Sequence, residues 1–138
     1  MNIHPKHFLI FRVTTSLIFL YAGFNHLLNA GKVTMRLQKS WIYTQLSYPD
    51  FFAAMVYISG AGMITGALWL ISGYRSRAAA VVLLALLVPV TLAVQLDNVA
   101  DLGPFFKNVA IGGALFFIIN QKKYETENLV HRNNSFTV

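Results

Sequence analysis

Cysteine is absent from all 138 residues, which excludes disulfide exchange, a Cys-ligated metal and a thioester as chemistry performed by this chain. The four-helix thiol oxidoreductases drop out with it. Acidic residues are scarce too, five Asp and Glu against eleven Lys and Arg, and charged residues make up only 12% of the chain. Together with 56% hydrophobic residues and a mean hydropathy of +0.54, that scarcity excludes an ordinary soluble domain of this length. A membrane protein remains. The net charge of +6 and pI near 9.8 do not argue for a nucleic-acid partner, because the basic residues sit at the ends of apolar runs rather than along one stripe. Nothing in the chain has the pattern of a nucleophile with its base, a nucleotide-binding loop or a metal-ligand set, so no catalytic residue and no metal site is assigned.

The apolar sequence divides into four stretches. A bilayer core of about 30 Å needs roughly 20 residues of helix at 1.5 Å each, and Phe8–Ala30, Phe51–Tyr74, Ala78–Leu96 and Gly103–Asn120 approach or exceed that length. The first carries one charge, Arg12, near enough to its start for the guanidinium to snorkel to the headgroups. No small-x-small cleavage site follows it, so it is read as a retained span rather than a signal peptide. The third contains Pro89, which removes the helical donor to the Ala85 carbonyl and should bend the segment. Gly103-Pro104 suits the first turn of the fourth. Short connections at Arg75–Arg77 and Asp97–Leu102 force antiparallel neighbours. The expected fold is all-α: a polytopic membrane four-helix bundle, up-down-up-down, with a long extracytoplasmic first loop, forming a single domain over 1–138. The first loop, Lys32–Asp50, fits neither a helical nor a strand period cleanly and is expected to form an interfacial cap. The polar tail, 121–138, is expected to fray in the cytoplasm.

Lysine and arginine counts orient this bundle. Lys6, Arg12, Arg75, Arg77, Lys122, Lys123 and Arg132 fall on one side, and Lys32, Arg36, Lys39 and Lys107 on the other. The excess favours both termini in the cytoplasm. Trp69 and Tyr74 would then mark the inner interface, and Trp41, Tyr43 and Tyr48 the outer one. Asn25 and His26 end the first span on the outer side, Thr91, Gln95, Asp97 and Asn98 close the third, and Lys107 and Asn108 open the fourth. A polar cluster at one depth under an aromatic lid is the expected form of a small-molecule site.

Arg12 followed by Gly23-Phe24-Asn25-His26, Pro49 before the second span, the run from Gly66 through Gly73 to Arg75, and Phe106-Lys107-Asn108 leading to Gly112-Gly113 together resemble the DoxX family of small four-helix membrane proteins. The likeness extends to about Tyr124. It implies a bacterial inner-membrane location and membership of a family with subunits linked to thiosulfate:quinone oxidoreductase, partners of membrane redox complexes and assembly chaperones. On that footing the cofactor is unknown: quinone is a candidate ligand and the redox centre is expected on a protein partner. One departure stands out. The family often carries a glutamate about a turn before the glycine matching Gly66, where this chain has Gly62-Met63.

Each candidate residue also has a plain structural role open to it. His26 can donate to a quinone carbonyl or shuttle a proton, or it can bond a loop carbonyl. A bis-histidine haem is disfavoured, because His4, His7 and His131 lie at the opposite end and leave only a methionine such as Met55 as a second ligand. Asp97 and Lys107 can form a plain ion pair or hold His26 and Asn108 in place. Gln95 and Asn108 can bond each other across the bundle. Gly62 and Gly66 form a helix-packing row compatible with a homodimer, and Gly112 and Gly113 invite the same reading. Three function classes follow: a quinone- or lipid-linked oxidoreductase subunit, a structural or assembly subunit, and a transporter. The transporter is disfavoured by the absence of an acid or base near mid-membrane in the second to fourth spans.

Overall fold

A computed structural model of the protein describes residues 5–40, 43, 45, 48–95 and 102–134, with side chains for all of these except 5, 49, 93–95 and 122–134. The chain is all-α, with helices α1 (Pro5–Leu28), α2 (Ala30–Gln38), α3 (Pro49–Ser72), α4 (Ser76–Gln95) and α5 (Leu102–Asn134). Three of them are long and apolar enough to cross a membrane, over Lys6–Leu28, Asp50–Ser72 and Leu102–Gln121, and Ser76–Leu92 is a shorter apolar helix. This is a multi-pass membrane protein.

Local chemistry sets the ends of the helices. Pro49 lies in the first turn of α3, where its missing N–H costs no helical bond, and Asp50 beside it meets the positive end of the helix dipole. Gly73 ends α3 in the left-handed conformation, φ +80°, which an L side chain adopts only at a cost. Arg75, at φ +46°, continues the tight reversal into α4. Within the helices, hydroxyls return to carbonyls one turn back. Thr15 bonds Phe11 O at 2.8 Å, Ser16 bonds Arg12 O at 2.7 Å and Thr65 bonds Ala61 O at 2.9 Å, so these polar atoms are satisfied inside an apolar segment.

Packing between helices is antiparallel and pairwise. A Cβ on Gly66 would meet Leu83 and one on Gly62 would meet Leu86, so α3 and α4 run in opposite directions along one seam. Gly23 lies against Ile64 and Gly60, and His26 against Gly60, which makes α1 and α3 antiparallel as well. Gly112 faces Leu84 and Leu87, and Asn108 reaches Thr91, giving the same relation between α4 and α5. Phe11 meets Phe117 edge-on at 5.6 Å where α1 touches α5. The core holds Phe19 from α1, Met63, Ala67 and Leu70 from α3, Ala79, Ala80, Leu83 and Leu87 from α4, and Ile111, Leu115 and Ile118 from α5. Glycines line the α3–α4 contact and let leucine side chains of α4 seat close to the α3 backbone. Tyr21, Phe24, Leu68, Trp69 and Phe116 are exposed on the outside of the helices, the side a bilayer covers.

Three expectations are revised. The first apolar helix ends at Leu28 instead of running to Ala30; Asn29, at φ −117° and ψ 31°, makes a jog and α2 follows at once. The first loop is helical over Ala30–Gln38, because Ala30, Val33, Thr34 and Leu37 turn inward at helical spacing while Met35 is exposed. The apparent alternation of Val33, Met35 and Leu37 hid that period. α4 is one helix from Ser76 to Gln95 with Pro89 inside it. The tail expected to fray is helical to Asn134, in keeping with its lysines and glutamates and its lack of glycine and proline.

Candidate functional site

α1 brings His26 to the face that packs on α3. Its Nδ1 lies 3.1 Å from the Ser59 hydroxyl, and Ser59 Oγ is 2.9 Å from the Val56 carbonyl. A serine hydroxyl has one proton. With that proton on the bond to Val56 O, Ser59 accepts from His26 Nδ1–H, and the ring keeps Nε2 as its acceptor. Asn25, one residue earlier, accepts at Oδ1 from Asn29 Nδ2 at 3.0 Å, a bond that spans the jog between α1 and α2.

A second pair joins α4 and α5. Thr91 is buried; its hydroxyl donates to Leu87 O at 2.7 Å and accepts from Asn108 Nδ2 at 3.0 Å. Donor and acceptor capacity thus match along the chain Asn108, Thr91, Leu87. Both pairs lie toward the end of the bundle where α1 and α4 finish and α3 and α5 begin. Lys107 is exposed. Gln95 is the last residue of α4, and its side chain lies outside the described residues, as do Asp97 and Asn98. The ion pair expected between Asp97 and Lys107 therefore falls outside them as well.

Thr91→Val removes the hydroxyl and keeps the shape. In a double cycle with Asn108→Leu, thermal unfolding in detergent should give a coupling of about 0.6 kcal/mol, and no more than about 1.7 kcal/mol, the range measured for hydrogen bonds between membrane helices.

The glycines divide by role. Gly62 and Gly66 face α4 of the same chain: a Cβ on Gly66 would come within 2.8 Å of Leu83 and one on Gly62 within 3.0 Å of Leu86. Gly112 makes ordinary contacts with α4, and Gly113 faces open space. The tightest approach of one helix backbone to another involves two glycines not singled out from the sequence as packing positions. A Cβ on Gly23 would lie 2.7 Å from Ile64 Cγ1 and 2.8 Å from Gly60 O; one on Gly60 would lie 2.9 Å from His26 Cβ. Gly23 and Gly60 set the α1–α3 separation at which His26 and Ser59 meet.

The opposite end of the bundle holds a polar site that sequence reasoning treated as a headgroup anchor. Arg12 turns into the α3–α4 reversal. Its Nη2 donates to Ile71 O at 3.2 Å, its Nη1 approaches Ser76 Oγ at 3.5 Å, and its guanidinium carbon lies 5.9 Å from the centre of the Phe8 ring. A cation on the last carbonyls of α3 complements the negative end of that helix. Gly73 makes room for it, since a Cβ there would be 2.7 Å from Nη1.

Comparison with known families decides what kind of protein carries this arrangement. The DoxX model matches residues 7–96, from the start of α1 through α4. The chain belongs to the DoxX family. The match stops short of the Tyr124 limit read from the sequence, so α5 with Lys107, Asn108, Gly112 and Gly113 lies beyond it, whereas Arg12, His26, Ser59 and Thr91 lie within it. No curated protein and no solved structure matches. Among the described residues, no group of three or more His, Cys, Asp or Glu side chains is placed to hold a metal ion in this DoxX protein.

Proposed function

We propose that this DoxX protein is a four-span subunit of a quinone- or lipid-linked membrane oxidoreductase, with the redox centre supplied by a protein partner. Three helices have the length and composition to span, and α4, packed antiparallel between α3 and α5, completes an up-down-up-down bundle. The lysine and arginine asymmetry favours both termini in the cytoplasm of a bacterial cell, with the chain in its inner membrane. Exposed Trp69 and Tyr74, near the α3–α4 reversal, suit the inner interface.

The observation that carries the reading is the His26–Ser59 pair. A membrane-embedded imidazole fixed in one tautomer by a hydroxyl on another helix presents one nitrogen to a ligand, as proton exchange with a quinone headgroup requires. His26→Ala should lower quinone-dependent turnover of native membranes by about tenfold or more, general acid-base contributions being on the order of a hundredfold, with the amount of the chain in the membrane unchanged. Unaltered turnover at equal expression overturns this reading.

A second reading, a structural or assembly subunit, is favoured by the closure of the Thr91–Asn108 and Asn25–Asn29 bonds within the chain. It has deletion of the chain deplete a partner protein while His26 and Asn108 variants stay silent.

A further inference from the structure

Two buried polar atoms among the described side chains have no hydrogen-bond partner: Arg12 Nε, a donor, and Gln121 Oε1, an acceptor. Leaving either group unpaired in an apolar interior is destabilising, and the two are complementary.

Helix register places them in one layer. Phe11 of α1 touches Phe117 of α5. Gln121 is four residues beyond Phe117, one helical turn further along the same face. α1 and α5 are antiparallel through their common neighbours, so that turn carries Gln121 toward the beginning of α1. Side chains on a helix lean toward its N-terminus, and the Arg12 guanidinium does so, lying near the Phe8 ring. The α4–α5 seam agrees. Thr91 is level with Asn108, and Gly112 lies between Leu84 and Leu87, which sets Ser76, a neighbour of Arg12, at the height of Gln121. Phe8, Phe11 and Phe117 provide apolar walls.

We propose that this layer binds a hydroxyl group, which accepts from Arg12 Nε–H and donates to Gln121 Oε1. A hydroxyl supplies one donor and two acceptor positions, so a single group satisfies both atoms, whereas a bare carbonyl or phosphate oxygen satisfies only the arginine. The layer coincides with the ends of two candidate spans, which begin at Lys6 and finish at Gln121. Headgroups reach that depth. A lipid with a polyol headgroup and an ordered water both carry the required chemistry, and the positive charge of Arg12 favours a polyol borne on a phosphodiester.

The test uses the full chain in mild detergent and its thermal unfolding. Gln121→Met removes the acceptor and preserves volume. The proposal expects the midpoint to fall by about 4 °C or more, while Gln121→Glu, which keeps acceptor oxygens facing Arg12, retains the wild-type midpoint. Phosphatidylglycerol and phosphatidylmethanol, both anionic and only the first bearing free hydroxyls, separate the sources. Stabilisation of the wild type by phosphatidylglycerol alone, absent in Gln121→Met, assigns a lipid headgroup. A Gln121→Met deficit independent of either lipid assigns water. If Gln121→Met is as stable as the wild type or more so, as replacement of a truly unpaired acceptor by an apolar group would make it, the proposal fails. It fails equally if both variants lose stability alike, since the position would then be intolerant of any change.

Discussion

Gly23→Val should separate α1 from α3 and produce a large loss of stability. The first added carbon already meets Ile64 Cγ1 at 2.7 Å and the Gly60 carbonyl oxygen at 2.8 Å. The isoleucine can rotate, but the carbonyl belongs to the backbone of α3 and moves only with the helix. Forcing one extra carbon into a packed contact costs about 1–3 kcal/mol, and the β-branched side chain adds two more. Gly23→Ala should fall within that range and Gly23→Val above it, read as unfolding midpoints in detergent. Gly113→Ala is the control. A Cβ there meets nothing, and alanine in a helix is about 1 kcal/mol better than glycine, so this variant should be neutral or more stable. The two glycines are both helical, so opposite signs would isolate the packing term. If Gly23→Ala is as benign as Gly113→Ala, the close α1–α3 crossing is wrong.

Arg12→Met should cost about 1.5–3 kcal/mol, the worth of a hydrogen bond to a charged group, because Ile71 O loses its guanidinium donor and Ser76 Oγ loses the nearby Nη1. Met retains much of the stem, so the loss reports the head rather than the packing. Lysine should not rescue it. Its ammonium is a single point, whereas the guanidinium reaches Ile71 and Ser76 from two nitrogens of one rigid plane. Gly73→Ala should reproduce the defect from the other side of the contact, since its Cβ would press on Nη1 and its φ of +80° disfavours any L side chain. Equal midpoints for Arg12→Lys and the wild type would show that the residue acts only as a charge near the headgroups.

What the sequence made legible was whatever depends on local composition. Apolar length separated the long helices, and Gly103-Pro104 marked the first turn of the last one. Thr91, Asn108 and His26 stood out as polar residues in apolar surroundings, and in the structure each of the three makes a hydrogen bond to a neighbouring helix. Ser59 was missed, although it interrupts an apolar run, because a serine in a membrane helix commonly satisfies itself on its own backbone. Ser59 does so with Val56 and also meets His26 Nδ1. Arg12 was read as reaching outward because one helix alone cannot reveal a carbonyl on another. Gly62 and Gly66 drew attention by their spacing, while Gly23 and Gly60, thirty-seven positions apart, become a pair only once the helices are docked. α2 was obscured by a run that alternates for five residues and turns helical when read over nine.

The internal position of Gly62 and Gly66 constrains how two copies of this chain can associate. Small residues in a row let transmembrane rods touch main chain to main chain, and here that ridge is already covered by Leu83 and Leu86 of the same molecule. The outward flank of α3 presents Tyr57, Ile58, Leu68 and Trp69 instead. Bulky groups of this kind mix with acyl chains as readily as with one another, so crowding within the lipid supplies little net attraction along that flank. Any lasting stoichiometry above one must draw its specificity from another surface, such as the bare strip of α5 at Gly113 or the parts of the chain that project into water.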